Sequence, residues 1–177
     1  MKSRILAFGA STSSRSINAQ LARWAADQLD AEVTFLDLND FDMPLFSIDR
    51  EEAGGIPEPA QRFKQHIKDA DGIVISFAEH NGSYAAAYKN IVDWTSRIAK
   101  EMWENKPMLL MATSPGRRGG LSVLTSAVHD YPHRAANVVA HASLPSFNHT
   151  FDGGITDAEH AATFNTAIQA FAEALNG

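Results

Sequence analysis

The stretch GIVISF, residues 72–77, is apolar and largely β-branched, with glycine at its start and a turn-rich segment after it. A strand with one face in water would alternate polar and apolar side chains; this one does not, so it reads as a strand buried on both faces. Working outward, similar runs occur at Arg4–Phe8, Glu32–Leu38, Met108–Thr113 and Val138–Ala142. Between them lie stretches of helical period: Ile17–Leu29, Pro59–Ala70, Ala85–Met102, Leu121–Ala136 and a last one near Asp157–Leu175. Thr156 and Glu159 have capping-box spacing ahead of that last helix. Asn39–Pro59, carrying Pro44 and Gly54-Gly55, reads as a long loop and the nearest thing to a flexible insertion. Strands alternating with helices belong to a doubly wound α/β fold with a parallel five-stranded sheet. Sheet orders 2-1-3-4-5 and 3-2-1-4-5 both satisfy the pattern, and either places ligands outside the carboxyl ends of the strands.

The 177 residues are 45% hydrophobic, enough for one packed core, and one domain over 1–177 is expected. A net charge of −6 without a basic stripe argues against nucleic acid as partner. The absence of cysteine excludes a disulfide scaffold, a thiolate metal site and a thiol nucleophile. The N-terminal apolar run is shorter than a signal or membrane segment, so a cytoplasmic protein without membrane contact is expected.

Three loops follow carboxyl ends of strands. GASTSSRSIN, residues 9–18, opens a helix; the free amides there favour an anion, and the hydroxyls of Ser11, Ser13 and Ser16 add donors without charge. The same residues would also cap the helix and close a turn. Neither a P-loop nor G-x-G-x-x-G is present, so Asp37, placed where a ribose-binding acid would stand, reads as structural. A receiver domain would need acids after the first strand, where Gly9, Ala10 and Ser11 stand. The second loop, FAEHNGSY at 77–84, contains the turn signal Asn81-Gly82; Glu79 and His80 read as solvent-facing unless a ligand claims them. In the third, ATSPGRRGGLSVL at 112–124, Gly119-Gly120 permits a sharp turn into the next helix, and Arg117 and Arg118 offer guanidinium forks to an anion.

One loop suited to a phosphate monoester and two suited to a flat ring describe a flavin mononucleotide site. At residues 79–97, EHNGSYAAAYKNIVDWTSR is similar to the P-E-Y-N-G-S…K-N-A-I-D-W-L-S-R signature of the NADPH-dependent FMN reductases, a flavodoxin-like family with chromate, quinone and azo-dye reductases among its members. The resemblance runs over nearly the whole chain and implies sheet order 2-1-3-4-5. It also implies that Ser11, Ser13, Arg15, Ser16 and Asn18 surround the FMN phosphate. Glu79, His80, Asn81 and Gly82 would line the isoalloxazine, and Ser114, Gly116 and Gly119 would approach from the third loop. Lys89, Asn90, Asp93 and Trp94 would support the flavin loop or a subunit contact. The chain departs from the family at Ala78-Glu79-His80, where Pro-Glu-Tyr is common, and in the first loop, where S-T-S-S-R-S replaces S-L-R-x-G-S.

By that resemblance the activity is NAD(P)H-dependent oxidoreduction, with NADPH or NADH as donor. Hydride would pass to FMN and electrons onward to a small acceptor: a quinone, azo dye, metal oxyanion or free flavin. No side chain is assigned as catalytic and no metal is expected. The protein's share is to hold donor and ring at about 3–3.5 Å and to place amides near developing charge. Relatives of this kind imply a homodimer or homotetramer. A flavodoxin-type electron carrier and a non-catalytic flavin-binding regulator are the alternatives.

Overall fold

The computed structural model describes residues 2–177. Five parallel strands form one sheet: β1 (Ser3–Ala10), β2 (Ala31–Phe35), β3 (Gly72–Phe77), β6 (Pro107–Thr113) and β7 (Asn137–Leu144), in spatial order β2-β1-β3-β6-β7. Counted along the sheet strands alone, this is the 2-1-3-4-5 order. A separate ribbon, β4 (Glu79–His80) and β5 (Ser83–Tyr84), stands at the carboxyl end of β3. The helices are α1 (Ile17–Asp27), α2 (Ile48–Gly54), α3 (Glu58–Asp69), α4 (Ala86–Ile98), α5 (Leu121–Asp130), α6 (Phe147–Thr150) and α7 (Ala158–Asn176).

The two-sided burial read from GIVISF has a direct structural counterpart. Side chains of a strand alternate between faces, so Leu6, Phe8, Ile73, Ile75, Phe77, Met108 and Leu110 form one core, while Ile5, Ala7, Val74, Leu109 and Met111 join the other. The first core is closed by residues of α3, α4 and α5, such as Phe63, Ile91 and Val123; the second by α1 and α7, through Leu21, Phe164 and Phe171. Among the described residues no helix is long and apolar enough to cross a membrane.

Several boundaries differ from the sequence reading: the Ala85–Met102 helix is shorter, Ala86–Ile98, the Arg4–Phe8 and Val138–Ala142 strands are longer, and four further differences have local reasons. The second strand stops at Phe35, because Asp37 caps a 3-10 helix over Leu38–Phe41 by accepting from the Asn39 N–H at 2.9 Å. The Leu121–Ala136 helix ends at Asp130 and tightens into a 3-10 turn, Tyr131–Arg134, where Pro132 cannot donate. The last helix is capped by Asp157, which accepts from the N–H groups of Glu159 and His160, rather than by Thr156. The Asn39–Pro59 stretch is not a flexible insertion: it contains α2, and α4 ties it down. Asn90 accepts from the Phe46 N–H at 2.8 Å and donates to the carbonyls of Met43 and Pro44, while Trp94 Nε1 donates to the Pro44 carbonyl at 2.7 Å. The KN…DW part of the 79–97 motif is therefore a latch on the loop after β2. Lys89 and Asp93 form the expected i,i+4 pair at 2.6 Å on the exposed face, worth about 0.3–0.5 kcal/mol.

All three tyrosines of the chain meet in one aromatic cluster beneath the β4–β5 ribbon. Tyr88 and Tyr131 share a hydrogen bond, and the buried Tyr84 hydroxyl has no partner among the described residues. Burial pushes Tyr84 up to about 12 and raises Tyr88 and Tyr131 further, since a phenolate there would lose its hydration. Below the ordinary phenol value of 10.0 both folded and unfolded chains hold neutral tyrosines, and the cluster's contribution is whole. Above it the unfolded chain ionises first, so stability falls as pH rises toward about 12. An alkaline absorbance titration should show no tyrosinate in the folded protein at pH 10.0, followed by a steep rise that coincides with unfolding. A gradual rise centred on pH 10.0 in a folded protein would contradict the burial argument.

Candidate flavin site

The carboxyl ends of β1, β3 and β6 open onto one cleft of ≈ 210 Å³. Ser11, Ser13, Arg15, Ser16 and Asn18 line it from the first loop, Glu79 and His80 from the second, and Ser114 from the third. Asn81, Gly82, Gly116 and Gly119 are not in its lining. A larger hollow of ≈ 510 Å³ adjoins it across Thr12, between the latched loop and the start of α4, where Ala86 and Ala87 leave it wide.

The seat of α1 explains how the first loop is held. A Cβ on Gly9 would lie 2.3 Å from the Ala19 nitrogen, so the helix's first turn rests directly on the backbone of β1. Ser16 is the N-cap and accepts from the Ala19 N–H at 3.1 Å; Ser11 and Ser13 accept from the N–H groups of Ser13 and Arg15. Turn formation and anion binding are thus compatible uses of these serines. A hydroxyl that accepts from backbone still has its own proton to donate. The first turn carries Ile17, Asn18 and Ala19 rather than an acid, and the amides of Ile17 and Asn18 are among those a helix leaves without an intrahelical acceptor. Arg15 is exposed and its guanidinium makes no ion pair among the described residues. This donor set fits a phosphate monoester.

Asn18 differs from its neighbours. It is 3% exposed, and its carboxamide turns into the sheet: Oδ1 accepts from Ser76 Oγ at 2.7 Å and from the Thr113 N–H at 3.0 Å, while Nδ2 donates to the Thr113 carbonyl at 3.2 Å. Its Oδ1 and one of its two Nδ2 hydrogens are thus spent inside the sheet.

In the second loop, Asn81 and Gly82 have φ of 52° and 77°, the pair of positive values that makes a two-residue type I′ hairpin between β4 and β5. His80 is exposed on it. Glu79 is not solvent-facing as its sequence context suggests: its carboxylate accepts from the Val123 N–H at 2.9 Å. The N-cap of α5 is Gly120, which has no side chain to accept there, so Glu79 supplies the missing acceptor from 44 residues away. The hairpin and the third loop are thereby tied together.

In the third loop, Gly119 and Gly120 both take positive φ, 58° and 73°, as the turn into α5 requires. A Cβ on Gly119 would meet Ser143 Oγ at 2.4 Å, and its N–H and carbonyl are already engaged with Gly116 and Ser143. Its demand for glycine comes both from that positive φ and from packing against the end of β7. The amides of Gly116, Arg117 and Arg118 have no protein acceptor among the described residues and remain free to donate. Sequence reasoning missed Gly9, Ser76 and Thr113. The polar Ser76 inside GIVISF was the one local signal available.

A family model described as NADPH-dependent FMN reductase matches residues 3–150. The chain belongs to that family. Among relatives of the NADPH-dependent FMN reductases, a 2-hydroxy-1,4-benzoquinone reductase from Burkholderia sp is 37% identical over 105 residues, 59% of this chain and 56% of the relative. An NADPH:quinone oxidoreductase from Arabidopsis thaliana is 34% identical over 122 residues, 67% of this chain and 62% of the relative. The chain thus matches little more than half the length of these curated relatives. A solved flavoenzyme NAD(P)H:(acceptor) oxidoreductase from Paracoccus denitrificans superposes with a TM-score of 0.77, covering 99% of this chain and 98% of that one at 23% identity. That likeness bears on the fold.

Proposed function

We propose that this member of the family is an FMN-dependent NAD(P)H oxidoreductase acting on small acceptors of the quinone type. The observation that carries the reading is the convergence on one cleft of an anion-suited helix start and two glycine-turned loops. When bound, FMN supplies the redox chemistry between nicotinamide and acceptor. Arg15, the hydroxyls of Ser11 and Ser13, and the amides of Ile17 and Asn18 hold its phosphate. The hairpin bearing Glu79, His80, Asn81 and Gly82 supports the ring, with Ser114 and the amides of Gly116 and its neighbours at the ring's other edge. Gly119 serves by keeping that loop against β7. The hollow beside Ala86 and Ala87 leaves room for a planar acceptor. In the same proposal the chain is one cytoplasmic flavin-binding unit, 1–177, with no side chain acting as acid or base.

The test is to mix the protein with FMN and NADPH under nitrogen. Bleaching of the flavin absorbance within seconds, restored by a quinone, is the expected result; an unchanged spectrum overturns the enzyme reading in favour of a carrier or regulator. His80→Phe should keep its flavin and reduce it at a rate within about tenfold of wild type. A fall beyond about 100-fold would instead mark His80 as an acid or base.

The proposed assembly is a homodimer or homotetramer. Its support is the latched loop: Leu45 is 67% exposed and Ile48 52%, on a segment held by the bonds from Asn90 and Trp94. Apolar side chains held rigidly in water suit a second copy of the chain. Leu45→Asp is expected to convert the oligomer to monomer in light scattering with little change in Tm. An oligomer unaffected by the change would place the interface elsewhere.

A further inference from the structure

Asn18 stands among the residues proposed to hold phosphate, yet its side chain points into the sheet. Thr113 is 1% exposed and lies one residue past the last β3–β6 pair, Phe77↔Ala112, so its N–H and carbonyl have no strand partner on that side. The Asn18 carboxamide takes both, pairing with the Thr113 backbone as a neighbouring strand would. Buried backbone groups without such a partner would be costly. Its Oδ1 also accepts from Ser76, which is fully buried and shares the α1 face of the sheet with Val74. Ser76 in turn is the register partner of Gly9, the residue whose bare backbone seats the helix. One side chain therefore fixes the start of α1 to the ends of β3 and β6, and each of those strands leads directly into a ring-side loop.

We infer that Asn18 is a positioning residue, acting through Ser76 and Thr113 to set the phosphate cup and both ring loops in register before flavin arrives. Its carboxamide does not touch the phosphate. This rests on the proposed flavin site. Loss of the network disturbs the ring loops as well as the cup, so it weakens riboflavin, which lacks the phosphate, along with FMN. A direct phosphate ligand would weaken FMN alone.

The experiment is a fluorescence titration of the apoprotein with FMN and with riboflavin, on wild type, Ser76→Ala, Asn18→Ala and the double variant, well below each Tm. Ser76 cannot reach a ligand and its change is small, so that variant keeps the test usable if Asn18→Ala folds poorly. Ser76→Ala is expected to weaken both flavins by about fivefold to tenfold, the scale of one buried hydrogen bond. Asn18→Ala should lose at least as much, and the double variant no more than Asn18→Ala alone, as residues acting in one network do. Three results would overturn the inference: Ser76→Ala within twofold of wild type for both flavins, losses confined to FMN, or losses that multiply in the double variant. A lowered Tm with unchanged affinity is the first of these and would make the network structural only. If wild type binds neither flavin, the proposed site itself falls.

Discussion

Gly9→Ala is expected to be the most damaging small substitution in the protein. The added methyl would sit 2.3 Å from the Ala19 nitrogen and 2.6 Å from its Cα, both backbone atoms with no rotamer to move aside. Either α1 lifts from the sheet or β1 bends, and the Leu21, Ala22 and Ala25 contacts with the second core loosen together. Overpacking of this kind costs about 3 kcal/mol, which for a chain of this size lowers Tm by roughly 10 °C. The cup moves with the helix, so FMN affinity should collapse even where the protein remains folded. Calorimetry with and without FMN checks both parts: in wild type the flavin raises Tm, and in Gly9→Ala it should not. A variant with normal Tm and normal flavin stabilisation would mean that α1 does not depend on this contact.

The second large effect is expected at Arg15. A guanidinium on a phosphate makes charge-assisted hydrogen bonds, each worth about 1.5–3 kcal/mol. Arg15→Ala should therefore weaken FMN by roughly tenfold to 100-fold and leave riboflavin unchanged. Because Arg15 is exposed, its contribution should shrink in salt, so the gap between wild type and variant narrows as ionic strength rises. This pattern is the reverse of that expected for Asn18, where both flavins weaken and salt matters little. Equal losses for FMN and riboflavin in Arg15→Ala would show that the side chain points away from the cup.

The centre of the sheet and the order of elements were legible because burial on both faces writes itself into β1, β3 and β6 as near-continuous apolar runs, while the edge strand β2 alternates instead. The hairpin was legible for a different reason: Asn-Gly is one of few dipeptides that accept positive φ at both turn positions. Polar residues were harder to read. Asn18 and Glu79 were both identified as site residues, and both line the cleft, but their side chains serve partners 95 and 44 residues away. Nothing near them in the chain announces Thr113 or Val123, and an asparagine that pins a sheet resembles one that binds a ligand. The Asn39–Pro59 stretch read as loose for the same reason: the groups that restrain it sit on α4.

That restraint has a design consequence. Asn90 and Trp94 grip the segment after β2 through the carbonyls of Met43 and Pro44 and the amide of Phe46, all main-chain groups. The hold is blind to most of the side chains it displays. Asp42 and Leu45, which border the larger hollow with exposed side chains, can be re-lettered while the path of the segment stays the same, whereas Met43 packs against the first core. Changes at those two positions would vary, on an unchanged backbone, both the wall of the hollow and, at Leu45, the face proposed to meet a second copy of the chain.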